Sequence, residues 1–299
     1  MVWFKRISLF ILTNLLVMLT ISISANLIMA FFGIQMPTGL QGLLVMCALF
    51  GFGGSLISLM ISKWMAKRMY GVQVIAPNVQ NHELRALVEM VHLYAKRAGL
   101  PKMPEVGIYE SPEINAFATG PSKSDSLVAV STGLLGAMNR DEVEGVIGHE
   151  ISHIANGDMV TMTLIQGVVN TFVMFLSRVL ASVIASSGNQ DEDRRGSFGM
   201  EFMLIMVFDL LFGVLASILV NYFSRRREFR ADSGGAKVAG REKMLAGLRK
   251  LQAQFELIAP DNGGAATFKI SNKSSGLMAL FSTHPPLAER IRRLERSGS

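Results

Sequence analysis

The feature that most narrows what this chain can become is a set of four long apolar stretches, at residues 7–32, 40–62, 159–186 and 202–223, each helix-length and poor in charge. A bilayer core about 30 Å thick takes about 20 such residues in an α-helix, so each stretch is long enough to span it. Half of the 299 residues are hydrophobic and only 17% are charged, and the mean hydropathy is +0.36. That is far too apolar for an ordinary soluble domain. The chain is expected to be a multi-pass membrane protein.

The flanks assign sides. Lys5 and Arg6 precede the first stretch, the "GIQMPTG" turn after it has no charge, and Lys63, Lys67 and Arg68 follow the second. The loop "GNQDEDRRG" between the third and fourth stretches is slightly acidic, whereas "SRRREFR" after the fourth is densely basic. Cationic flanks stay in the cytoplasm, so the stretches pair into two hairpins with all their ends on that side. A rival reading makes the first stretch a cleaved signal peptide, with "MVWFKR" as its basic start and "SISA" as the cleavage site. Against it, the apolar run continues past that site, and the basic cluster after the second stretch would fall on the wrong side.

The net charge of +6 does not indicate nucleic acid as a partner, because the excess basic residues cluster at the membrane edges. The single cysteine, Cys47, lies inside the second stretch and excludes an intramolecular disulfide. "GFGGS" at 51–55 follows no strand, so it reads as close helix packing rather than a phosphate loop. Two charges do fall within apolar stretches, Arg178 and Asp209. Counted from the intervening loop they lie about 14 and 15 Å along antiparallel helices, at similar depth, so either they pair or Arg178 snorkels while Asp209 independently faces a wet cavity.

Between the second and third stretches the pattern changes to that of a small α/β unit. "NHELRALVEMVHLYAKRAG" reads as a helix, with His82 and His92 as ordinary boundary histidines. "EVGIYE", "INAFATG" and "LVAVST" read as strands. A second helix follows: Asn139 and Glu142 have capping-box spacing, Val143, Val146, Ile147, Ile151 and Ile154 form an apolar side, and Gly157 with Asp158 offers a break. This helix carries "HEISH". Positions i and i+4 share one helical face, so His149 and His153 can both point at one metal ion, leaving Glu150 free to act as a general base.

A catalytic metal of this kind needs a third protein ligand. Glu228 and Asp232, in "REFRAD", stand in i, i+4 relation on a helix expected to start where the fourth stretch ends. Either Glu228 completes a two-His, one-Glu site, with Asp232 hydrogen-bonding a ligand histidine, or Glu228 pairs with the arginines around it. His284 in "THPP" either donates to the oxyanion of a tetrahedral intermediate or caps the C-terminal helix "PPLAERIRRLER". "NAFATG" is either an edge strand that holds an extended peptide, with Asn115 facing the cleft, or a plain core strand.

Taken in order, "NAFATG", "HEISHIANGD", the paired apolar stretches, "SRRREFRAD" and "STHPPLAERI" resemble the HtpX family of bacterial membrane zinc peptidases, related to the CAAX prenyl endopeptidases. The likeness covers essentially the whole chain. It implies one Zn2+ per chain held by His149, His153 and Glu228, with Glu150 as catalytic base. It also implies an enzyme of the inner membrane, its catalytic domain in the cytoplasm, that removes damaged or misassembled membrane proteins under stress, with self-cleavage a further expected reaction.

The expected fold is therefore mainly α. Four hydrophobic helices in two hairpins join a cytoplasmic α/β zincin-like domain with a small sheet: a hairpin at 1–69, the first part of the peptidase domain at 70–158, the second hairpin at 159–223 and the rest of the peptidase domain at 224–299. Competing functions are a processing or intramembrane peptidase and a non-enzymatic scaffold or transporter in which HEISH is structural. Transport would be supported by inverted repeats of broken helices, and none is seen in the sequence.

Overall fold

The computed structural model describes residues 31, 39–76, 78–186, 194–258 and 282–297. Apart from Phe31 the first apolar stretch lies outside the described residues, so of the expected first hairpin only the second arm is described. The elements are α1 (Gly39–Tyr70), β1 (Gln73–Val74), α2 (His82–Arg97), β2 (Glu105–Tyr109), β3 (Ala116–Ser122), β4 (Asp125–Ser131), α3 (Thr132–Ala137), α4 (Arg140–Asn156), α5 (Asp158–Ser186), α6 (Arg194–Ala239), α7 (Arg241–Ile258) and α8 (Leu287–Arg296).

Among the described residues three helices are long and apolar enough to cross a membrane: α1, α5, and α6 from Gly199 onward. They contain the second, third and fourth expected stretches. None of the most apolar 18-residue window of α6 is buried, and Phe202, Val207, Leu210 and Leu215 are each more than half exposed. Continuous apolar surface on this scale is stable only against lipid.

The described residues divide into two compact units, one holding those up to Ser58 and those within Met162–Val220, the other those of Leu59–Thr161 and those from Asn221 onward. In the first unit, α1 and α5 touch at Gly51, where an added Cβ would lie 2.7 Å from the Thr171 backbone nitrogen and 2.9 Å from the Gly167 carbonyl. Only glycine permits that approach, as the "GFGGS" reading anticipates. Arg178 and Asp209 do meet, Nη1 to Oδ2 at 4.0 Å.

The second unit is built on a four-stranded mixed sheet in the order β1-β2-β4-β3, with β2 and β4 parallel and the other pairs antiparallel. Side chains alternate across β4. Val128 and Val130 join the core with Val91 of α2 and Ile147, Ile151 and Ile154 of α4. Leu127 and Ala129 face the other way, onto Val72 and Tyr109. β3 is an edge strand, as "NAFATG" suggests, and it packs against α4.

The motif helix forms as its sequence dictates. Asn139 and Glu142 close a reciprocal capping box, and Gly157 ends the helix in the left-handed conformation at φ 71°. The five predicted apolar residues are all buried in the core. One expectation is corrected here: Glu228 and Asp232 do not begin a new helix but ride on α6, which runs unbroken from the apolar stretch to Ala239. Nothing between Phe223 and Asp232 is a glycine or proline, and arginine and glutamate are good helix formers.

Candidate active site

The site is made where α6 crosses α4. Its close approach depends on Gly235, where a Cβ would stand 3.0 Å from the His149 backbone nitrogen and 3.2 Å from the Gly148 carbonyl carbon. With backbones nearly in contact, Glu228, two helical turns before Gly235, reaches the HEISH face. Its carboxylate is 1% exposed. Oε2 lies 3.4 Å from His149 Nε2 and Oε1 lies 3.3 Å from His153 Nε2, while the two Nε2 atoms are 3.1 Å apart.

The outer nitrogens of both rings face carboxylates. His153 Nδ1 stands 2.6 Å from Asp158 Oδ2, and His149 Nδ1 stands 3.0 Å from Asp232 Oδ1. A carboxylate only accepts, so each Nδ1 is placed to donate to its carboxylate, and in that neutral tautomer each Nε2 turns a lone pair inward. Two lone pairs and a carboxylate then converge on one point. Bonds of about 2.0 to 2.1 Å at a tetrahedral angle would separate ligand atoms by about 3.3 to 3.4 Å. The observed edges match that spacing, and among the described residues Glu228 Oε1 is buried without a hydrogen bond of its own. His149, His153 and Glu228 are also the group of described residues whose donor atoms cluster closely enough to hold one ion. The residues fit a metal.

Electrostatics agree. Burial pulls the His153 imidazole towards neutrality, but its bond to Asp158 and the charge of the nearby Glu228 carboxylate outweigh it and raise the group to about 9. Glu228 lies beyond the apolar stretch. Burial alone would raise its carboxyl, yet the close imidazoles of His149, His153 and His284 hold it well below the usual range. The carboxylate is held charged, as a metal ligand must be, and a metal binding to the two imidazoles would displace the protons that the site otherwise favours on them.

The other anticipated residues divide. Asp232 sits against His149, as its spacing suggests. Glu150 is half-buried and close enough for its charge to act on His153 and Arg290. His284 places Nδ1 3.0 Å from Glu228 Oε2 with its ring 61% exposed, while α8 begins at Pro286 without a side-chain cap. Asn115 is exposed just before β3. Its backbone is fixed by Ser131, whose Oγ accepts from Asn115 N–H and whose N–H donates to Asn115 C=O.

Two residues were not anticipated. Asp158, read only as part of a helix break, is the buried partner of His153. Arg290 is 7% exposed and donates to both oxygens of Asp232, from Nε at 2.8 Å and Nη2 at 2.6 Å. The fork lies 3.6 Å from Glu228 as well. A signal for Arg290 did exist: with Leu287, Ile291 and Leu294 it falls on one helical face.

Residues 79–297 match the model for peptidase family M48. Protease HtpX of Aeromonas hydrophila subsp. hydrophila is 55% identical over 291 residues, covering 96% of this chain and 98% of that protein. Protease HtpX of Idiomarina loihiensis is 53% identical, covering 98% and 99%. That of Pectobacterium atrosepticum is 52% identical, covering 98% of each. Among solved structures, the crystal structure of S. mikatae Ste24p superposes with a TM-score of 0.65 at 18% identity, covering 98% of this chain and 66% of that one. With three membrane-capable helices and a His-His-Glu cluster among its described residues, the chain belongs to peptidase family M48, among its HtpX proteases, and is a membrane metallopeptidase.

Proposed function

We propose that the chain is a zinc endopeptidase of a bacterial inner membrane that cuts damaged or misassembled membrane proteins in their cytoplasmic segments. One observation carries the reading: His149, His153 and Glu228 converge at 3.1 to 3.4 Å, and each imidazole is backed by its own buried carboxylate. That arrangement suits zinc, which takes nitrogen and oxygen donors in tetrahedral geometry and leaves a fourth position open in catalytic sites. When bound, the ion would polarise the attacking water and the scissile carbonyl.

The protein's own groups do the rest. Glu150, next to the first ligand, takes a proton from the attacking water and returns it to the leaving amine. Asp158 and Asp232 hold the two rings in the tautomer that presents Nε2 inward. His284, half out of the site, donates to the oxyanion. An extended substrate adds to the free edge of β3 beside Asn115; the edge position of β3 and its packing on α4 support this. No covalent enzyme intermediate is needed.

Placement follows from the sequence. His153 is six residues before Met159, across the turn at Gly157, and Glu228 is five after Phe223 on unbroken helix, about 7.5 Å, so both arms of the site are tethered by short segments to an apolar stretch. Basic residues at those borders orient them to the cytoplasm. The test is to present wild type and Glu150→Gln with a panel of detergent-solubilised membrane proteins and sequence the ends of new fragments. Cuts in cytoplasmic loops and tails, absent from the variant, support the reading. Fragment ends mainly in periplasmic domains contradict it.

A further inference from the structure

Beyond the cleavage site, α6 carries an exposed stripe whose chemistry changes along its length. Leu211, Leu215 and Leu219, every fourth residue, are each at least half exposed and fall within about 100° of arc. The stripe continues through Tyr222, also exposed, to Arg226 and Arg230. The Arg226 guanidinium lies over the Tyr222 ring, 5.7 Å from its centroid, and the Arg230 side chain is 64% exposed. An apolar run that passes through an interfacial tyrosine into two arginines on one helical face is complementary to a lipid leaflet and its headgroups.

The distances agree. The headgroup layer is about 5 to 7 Å deep on each side of the hydrocarbon core. Arg226 lies three residues past Phe223, about 4.5 Å, and Arg230 seven residues past it, about 10.5 Å, from which a long side chain can reach back.

Arg230 has a second neighbour. Its Nη2 is 3.8 Å from Asp158 Oδ1, and the other oxygen of Asp158 bonds to His153 Nδ1 at 2.6 Å. Asp158 thus divides its charge between a proposed metal ligand and a solvent-facing cation. A phosphate that engages Arg230 weakens the second interaction and leaves the carboxylate to His153, where it makes the imidazole a better donor.

We propose that Tyr222, Arg226 and Arg230 form a headgroup site for anionic phospholipid, and that occupancy of this site is coupled through Asp158 to His153. The coupling rests on the metal-site reading; the headgroup site does not. The intact chain in detergent, titrated with phosphatidylglycerol or phosphatidylcholine and weighed by native mass spectrometry, should retain the anionic lipid preferentially. Arg226→Ala and Arg230→Ala should each lower that preference about fivefold, and the double variant about twentyfold. Equal retention of the two lipids by wild type, or an unchanged preference in the double variant, overturns the site. Inorganic phosphate at the same concentration should not displace the lipid, and displacement would reduce the site to a general phosphate contact and overturn the lipid assignment. As a second readout, phosphatidylglycerol should slow zinc loss to a chelator about two- to fivefold in wild type and not in Arg230→Ala. Equal slowing in both overturns the coupling. Lipid retention is read with or without metal, so its failure counts against the headgroup site alone, while a chain that binds no zinc counts against the metallopeptidase reading alone.

Discussion

Replacing Arg290 with leucine should destabilise the catalytic unit more than any change of one exposed charge. The guanidinium is 7% exposed and makes two hydrogen bonds, at 2.8 and 2.6 Å, to a carboxylate that is itself 3% exposed. In the variant Asp232 keeps His149 on Oδ1, but Oδ2 loses the partner it has. Breaking one side of a buried pair costs about 3 to 5 kcal/mol, because the remaining charge is left uncompensated. For a unit of roughly 150 to 250 residues, each kcal/mol shifts Tm by about 2 to 4 °C, so a fall of about 6 to 20 °C is expected. The assay is thermal unfolding in detergent, followed by intrinsic fluorescence after chelation, so that loss of metal does not contribute. Arg290→Leu combined with Asp232→Leu should lose clearly less than the sum of the singles, since an apolar pair can replace a buried ionic one. A Tm change under about 2 °C for Arg290→Leu, or strictly additive losses, would refute the claim that the two residues form one buried unit.

Three further outcomes are expected. Arg178→Ala and Asp209→Ala should each destabilise the protein, and the double variant should fall short of the sum by about 1 kcal/mol or more, since an unpaired charge in lipid is costly; additivity in detergent and again in lipid would show that the 4.0 Å approach carries no coupling. Glu144 is buried, which alone would raise its carboxyl, but hydrogen bonds from Lys243, Tyr94 and Arg140 lower it on balance. Its contribution is therefore present above the ordinary glutamate value near 4.3 and is lost as pH falls through the lower folded value. Glu144→Gln should cost about 1 to 3 kcal/mol at neutral pH and much less in acid, and an equal cost at both would refute the assignment. Glu228→Ala should release zinc to a chelator far faster than wild type does, and wild-type retention would remove Glu228 from the ligand set.

The parts of this site that were legible in the sequence are those fixed by local periodicity. His149 and His153 share a face because four residues make about one turn, and the five apolar residues of α4 announce which side is buried. Glu228 and Asp232 were legible as a pair, but their helix was not, because the basic run after Phe223 marks a change of solvent without a change of backbone. Membership of a peptidase family removes the alternative of a non-enzymatic scaffold or transporter. Asp158 escaped because it belongs to the next helix, and its contact with His153 depends on how tightly the chain turns at Gly157. Arg290 escaped because α8 holds four arginines in ten residues. Burial of one of them is decided by the packing of α8 on α7.

The most direct test of the central claim is the turnover of a cytoplasmic-loop substrate by purified Glu150→Gln whose zinc content is measured on the same sample. The substitution removes the base and leaves His149, His153 and Glu228 in place. One zinc per chain with peptide hydrolysis reduced to background is the predicted result. One zinc per chain with hydrolysis at the wild-type rate would contradict the assignment of Glu150 and the mechanism built on it.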